Sequence, residues 1–322
     1  MTQFLTCMGE ILIDFFPIEE DGQTVGFRMF PGGAPMNVAV GLARLGQPTA
    51  FVSKVSTDYF GRFLRNYLEA EHINTRFLIG DPALTTLAFV AVENNEPTYT
   101  FYSERAADTL LKPDDLPSVL FEQTRVLQIG GISLLRGSTP GAILAAVERM
   151  RGQALIAFDP NIRPALIEDS ASYRALLDKL FGLADLVKIS AVDLDWLMPG
   201  STLNKAAAEL AARGAALVVV TRGAQGSMAL RATDGVPEVF EVPGFSVTVV
   251  DTVGAGDAFN SGLLAALAER RALTHAALMS LPTDEIREVL RFASATAALN
   301  VQKAGANPPT RAEVAAFLEQ HA

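Results

Sequence analysis

Asp251-Thr252-Val253-Gly254-Ala255-Gly256-Asp257 runs without a break into Ala258-Phe259-Asn260-Ser261-Gly262-Leu263-Leu264-Ala265-Ala266-Leu267, so a glycine-rich turn opens directly onto an apolar, helix-forming stretch. Gly254 and Gly256 let the backbone turn tightly and approach a ligand, and the N–H groups of the first helical turn then point outward along the positive end of the helix dipole. Such a cradle suits an anion, above all a phosphoryl group. A carboxylate is a poor phosphate binder, so Asp257 at the mouth of the cradle points to a separate task, accepting a proton from an attacking hydroxyl. The same residues also suit an ordinary strand-turn-helix junction in which Asp257 only favours the first helical turn.

The surrounding sequence supplies the architecture. Apolar runs at 4–13, 49–55, 126–129, 154–158, 186–189 and 216–221 read as strands. Helical patterns alternate with them at 34–45, 58–71, 139–151, 173–181 and 203–213, the first with Pro35 early and Gly46 as its stop. Strands separated by helices imply an α/β fold with a mostly parallel sheet covered on both faces. From Gly254 onward the chain reads as nearly all helix, at 255–270, 284–300 and 311–319. Two stretches break the alternation. Residues 87–93 and 98–103, joined by Asn94-Asn95-Glu96-Pro97, read as a β-hairpin, and 26–30 adds a strand. The expectation is one domain over 1–322, with a small β-sheet lid drawn from about 24–31 and 87–104.

With 49% hydrophobic and 19% charged residues among 322, the chain can bury a large core. The formal net charge of −10 argues against nucleic acid or an anionic membrane as partner. Cys7 is the only cysteine and His72, His275 and His321 are scattered, which excludes an intrachain disulfide and a Cys-based zinc site and gives no histidine cluster for a metal. The first residues lack a basic signal region, and no apolar run approaches the roughly 20 residues a membrane helix needs, so a cytoplasmic protein, neither exported nor anchored, is expected.

No Gly-x-x-x-x-Gly-Lys-[Ser/Thr] occurs, and the Gly-x-Gly-x-x-Gly fingerprint fails because Phe259 stands three positions after Gly256. A second Gly-Gly turn precedes a helix at Pro31-Gly32-Gly33-Ala34-Pro35-Met36-Asn37-Val38-Ala39. Such a turn permits close approach to a polyhydroxylated ligand, and the Asn37 amide can donate to and accept from neighbouring sugar hydroxyls. Further ordered motifs are Gly9-Glu10-Ile11-Leu12-Ile13-Asp14, Asp159-Pro160-Asn161-Ile162-Arg163-Pro164, Lys188-Ile189-Ser190 leading to Asp193, and Thr221-Arg222-Gly223-Ala224-Gln225-Gly226. With these motifs, spanning nearly the whole chain, the sequence resembles the ribokinase (PfkB) family of carbohydrate kinases, and within it the bacterial fructokinases.

The resemblance implies a ribokinase-like three-layer αβα fold and an ATP-dependent sugar kinase. Asp257 would be the base for a sugar hydroxyl, and the N–H groups of Gly254, Ala255 and Gly256 would form an anion hole. Asp14, Gly32, Gly33, Asn37, Tyr102, Arg105 and Arg163 would lie at the sugar. Lys188, Ser190, Thr221, Gly223, Gly226 and Asn300 would lie at the nucleotide. Asp193 would hold Mg²⁺ through water, and backbone oxygens around Asp251, Val253 and Gly305 would bind a monovalent cation such as K⁺. Phe101-Tyr102-Ser103 lacks the arginine that relatives acting on ketodeoxygluconate carry there, and Pro35 matches the fructokinase pattern. D-fructose is therefore the expected acceptor. A ketodeoxygluconate or riboside kinase, or a sugar or nucleotide sensor without chemistry, remains the alternative, and monomer and homodimer both stay open.

Overall fold

Short runs rich in Val, Ile, Leu and Phe become strands, and helices between most of them return the chain to the same end of the sheet. The structure is a computed structural model and describes residues 2–93, 96–232 and 237–321. In chain order it begins with β1 (Phe4–Met8), β2 (Leu12–Glu20), β3 (Gln23–Gly32), α1 (Ala34–Arg44), β4 (Thr49–Ser56), α2 (Tyr59–Ala70) and β5 (Leu78–Asp81). Next come β6 (Thr86–Glu93), β7 (Glu96–Tyr102), α3 (Ser118–Gln123), β8 (Thr124–Gly130), α4 (Thr139–Met150), β9 (Leu155–Asp159), α5 (Ser170–Phe181) and β10 (Leu186–Ser190). The remainder comprises α6 (Ala191–Leu197), α7 (Leu203–Ala212), β11 (Leu217–Thr221), β12 (Ser227–Arg231), β13 (Glu238–Val242), α8 (Ala255–Glu269), α9 (His275–Ser280), α10 (Thr283–Asn300) and α11 (Arg311–Gln320).

Among the described residues the main sheet has nine strands in the order β13-β12-β11-β10-β9-β8-β1-β4-β5. All pairs from β11 to β5 are parallel, while β12 and β13 add an antiparallel edge that the sequence pattern did not disclose. Alternate residues of each strand enter separate cores. Leu5, Cys7, Phe51, Val126, Leu217 and Val219 pack with α1, α8 and α10 on one face. Met8, Val52, Leu127, Ile129, Val218 and Val220 pack with α4, α5 and α7 on the other. That division is the three-layer arrangement expected of an α/β sheet with helices on both sides.

A second sheet has the order β3-β2-β6-β7. It corrects the reading of 4–13 as one strand: β1 ends at Met8, and from Leu12 the chain belongs to the smaller sheet, where β2 pairs antiparallel with β3 and parallel with β6. Apolar residues on either side of Gly9-Glu10 hid this break, because both halves of the run are buried. The hairpin expected around 94–97 is present as β6 and β7, and its turn residues Asn94 and Asn95 lie outside the described residues. Leu12, Asp14, Phe16, Val90 and Phe101 face a cavity under this sheet. Phe15, Phe27, Phe89 and Tyr102 form an aromatic cluster on its other side.

Helix α8 is buried continuously from Asp257 to Leu267, so it is enclosed on every side instead of amphipathic. It packs between α1 and α10. At Gly262 the contact with α10 has no room for a side chain: a Cβ would lie 2.6 Å from Thr296 Oγ1 and 2.9 Å from Ala293 Cα. Gly262→Ala is expected to lower unfolding free energy by about 1–3 kcal/mol through overpacking, despite the better helix propensity of alanine. Urea unfolding checks this, and an unchanged or raised midpoint would mean that the two helices can separate freely.

Candidate active site

The turn that precedes α8 is shaped by its backbone. Gly254 is the N-cap in the left-handed region (φ 73°, ψ 2°) and offers no side-chain cap. The late loop braces the turn from behind. Asp251 accepts the Val253 N–H at 3.0 Å and the Gly305 N–H at 2.8 Å through its two carboxylate oxygens. Among the described residues the N–H groups of Gly254, Gly256 and Asp257 make no hydrogen bond, whereas that of Ala255 donates to Thr252 O at 3.2 Å. The turn therefore presents unspent donors at a helix N-terminus, with Ala255 already engaged.

Asp257 occupies the first turn of α8, 7% exposed, and its Oδ2 accepts a hydrogen bond from Asn37 Nδ2 at 2.9 Å. Burial pushes its carboxyl up to about 6, against the Asn37 bond and the Lys188 charge, which both pull it down. Two cavities meet at the turn. The first, of about 460 Å³, is lined by Asp14, Gly33, Asn37, Arg163 and Asp257 among others, so it combines carboxylates, an amide and a guanidinium. Burial, followed by the charge of Asp257, raises the Asp14 carboxyl there to about 7. Arg163 is held by its Nη1 donating to Asn161 Oδ1 at 2.6 Å. The second cavity, of about 580 Å³, is largely apolar, with Phe245, Val247, Phe259 and Ala298 in its wall and Thr221, Gly223 and Gly226 also lining it. Thr252, Ala255 and Gly256 line both. A polar cavity and an apolar one, joined at an anion turn, can hold a polyol and a nucleotide with the transferable phosphoryl between them.

Five expected site residues are placed differently. Tyr102 is 64% exposed and turned toward Phe89; strand alternation gives the cavity to Phe101 instead. Arg105 sits in an exposed turn with φ 52°, apart from the residues that line the cavity. Asn300 has no exposed surface: its Nδ2 donates to Val253 O at 2.8 Å and its Oδ1 accepts the Asn307 N–H at 3.0 Å, so it buttresses the turn while Ala298 and Val301 face the second cavity. Lys188 and Ser190 do not line that cavity either. Ser190 caps α6 by accepting the Asp193 N–H at 3.0 Å. Lys188 Nζ, buried, pairs with Asp159 Oδ2 at 2.8 Å, and a Cβ on Gly256 would lie 3.1 Å from it. A buried ammonium thus stands beneath the anion turn.

Asp193 lies near this pair, its carboxyl raised first by burial and then by Asp159. Among the described residues no group of three or more His, Cys, Asp and Glu is arranged to hold a metal directly. One feature does fit a hydrated cation: Asp159 Oδ1 is buried without a hydrogen-bond partner. Sequence reasoning gave no role to Glu10, which lines the first cavity, or to the segment 244–249, which walls the second. The signal for the latter was an apolar stretch after β13 that belongs to no helix.

The chain is 37% identical over 283 residues to a fructokinase of Rhizobium leguminosarum bv. trifolii, covering 88% of this chain and 85% of that one. It superposes with a TM-score of 0.90 on a fructokinase of Xylella fastidiosa with bound ATP, at 31% identity and covering 100% and 99% of the two chains. A fructokinase of Vibrio cholerae O395 solved with fructose, ADP and calcium ion gives 0.84 at 30% identity, covering 98% and 99%. Residues 2–313 match the pfkB family carbohydrate kinases, and with relatives at this identity over most of its length the chain belongs to that family.

Proposed function

We propose that the protein is a fructokinase, transferring the γ-phosphoryl group of ATP to a hydroxyl of D-fructose. The carrying observation is the position of Asp257: a buried carboxylate, oriented by Asn37, on the anion turn where a polar cavity meets an apolar one. The relatives named above, with ATP in one and fructose and ADP in another, support the choice of substrates. Ser103, in place of the arginine of ketodeoxygluconate kinases, and the exposed Arg105 leave that acidic sugar without its expected partner.

In this reading Asp257 Oδ1 takes the proton of the fructose hydroxyl as that oxygen attacks the γ-phosphorus, and the bond to ADP breaks as the new one forms. Negative charge on the transferring group meets the N–H groups of Gly254 and Gly256, the α8 dipole and the buried Lys188 ammonium. Asp14, Gly33, Asn37 and Arg163 orient the sugar, and Thr221, Gly223 and Gly226 the nucleotide phosphates. The smaller sheet serves as a lid on the sugar cavity, within a single domain spanning 1–322. Asp193 and Asp159 would hold Mg²⁺ through water, and the ion would supply charge neutralisation at the phosphates. Backbone oxygens near Asp251, Val253 and Gly305 would hold a K⁺ ion, and a double mutant of the Vibrio cholerae fructokinase solved with potassium ion supports the use of that cation.

An ADP-release assay with fructose, glucose, ribose, ketodeoxygluconate and nucleosides tests the substrate; turnover confined to a sugar other than fructose would overturn the assignment. Asp257→Asn is expected to lower kcat by about 10²-fold or more with sugar and ATP still bound; near-wild-type turnover would remove the base. Because the base must be ionised, kcat/KM should fall with decreasing pH along an acid limb near the Asp257 value of about 6, shared with Asp14 at about 7 as a coupled pair. Lys188 lowers the Asp257 pKa, so Lys188→Met should move that limb to higher pH. A pH–rate profile in which the limb stays in place would show that the ammonium does not act on the base.

A further inference from the structure

Helix α1, which carries Asn37, has no cap of its own. Its N-cap is Gly33, its first turn holds no acidic residue, and Pro35 has no N–H to offer. The cap comes from a different element. Glu10, in the break between β1 and β2, accepts the Ala34 N–H through Oε1 and the Ser133 N–H through Oε2, both at 3.1 Å. Ser133 belongs to the turn after β8, so one carboxylate joins two segments far apart in sequence. Glu10 is 2% exposed.

The backbone closes on this side chain from both directions. Gly33 has φ 113°, and a Cβ there would lie 2.6 Å from the Glu10 carbonyl oxygen; a Cβ on Gly131 would lie 2.2 Å from Glu10 Oε1. Gly33, Asn37, Gly131 and Ile132 all line the polar cavity, as Glu10 does. Burial raises the Glu10 carboxyl, and hydrogen bonding from Ser133, from the Ala34 N–H and from its own backbone acts in the opposite direction. Two N–H donors on separate oxygens require two acceptors, and a glutamine would turn an NH₂ group against one of them.

We propose that Glu10 is a positioning residue of the sugar pocket, a two-pronged clamp that fixes the start of α1 against the 131–133 turn and thereby sets Asn37 on Asp257. The clamp rests on the polar cavity being the sugar site. It leaves the apolar cavity untouched, so its loss bears on the sugar and not on the nucleotide.

The test compares wild type, Glu10→Gln and Glu10→Asp by sugar KM, ATP KM and kcat, and by amide hydrogen exchange of 33–38 and 131–135 without ligands. Glu10→Gln is expected to raise the sugar KM about tenfold or more, to leave the ATP KM within about twofold, and to speed exchange in both segments. Glu10→Asp, which keeps the charge and loses reach, should do the same to a smaller degree and stands in if the glutamine variant does not fold. Equal changes in both KM values, or exchange unchanged in either segment, would overturn the clamp. The exchange measurement needs no substrate, so a wild-type enzyme that ignores fructose would refute the assigned sugar while leaving the clamp to be decided separately.

Discussion

The complete burial of α8 governs the rest of the structure. A helix enclosed on every side from Asp257 to Leu267 cannot let water reach its first turn from behind, so its orphan N–H groups and the Asp257 carboxylate must find partners on the cavity side. Apolar surroundings make each of those few charges count for more than it would in water. They also explain the raised Asp257 carboxyl, because burial disfavours the ionised form that proton abstraction requires. Lys188 and Asn37 offset that cost from opposite sides, one by charge and one by a hydrogen bond.

Around this axis the molecule divides its labour by polarity. The first cavity gathers Asp14, Asn37 and Arg163, whereas the second is walled by Phe245, Val247 and Ala298. The turn between them belongs to both, and two side chains brace it. Asp251 and Asn300 spend all four of their bonds on backbone groups of the turn and of the late loop. A site that must hold a phosphoryl group in line between two substrates gains from such bracing, since small displacements at the reacting atoms are costly.

The turn at 254–257 was legible because its chemistry lies in consecutive residues, and so was the alternation of strands and helices. What escaped depends on parity or on distance. Whether Phe101 or Tyr102 faces the first cavity is a matter of which side of β7 each occupies, and a single step in register exchanges them. Asn300 read as a nucleotide contact because its actual partners, Val253 and Asn307, meet only in the folded chain. Glu10 was visible as a residue but not as a cap, since a capping residue normally precedes its helix directly and this one is separated from α1 by two strands. The β12 and β13 edge was obscured because neither short strand is followed by a helix of its own.

The smaller sheet also bears on how the chain reaches its native state. Its central pairing is parallel and joins Leu12 to Thr86, so the sequence carrying β3, α1, β4, α2 and β5 separates the two strands that must meet. Loop-closure entropy makes such a long-range parallel pairing slow compared with the β2–β3 and β6–β7 hairpins, which are local. This topology favours two hairpins that exist early as separate pieces and join only after the main sheet has brought their bases together. The roof of the polar cavity is then the last part of the enzyme to mature.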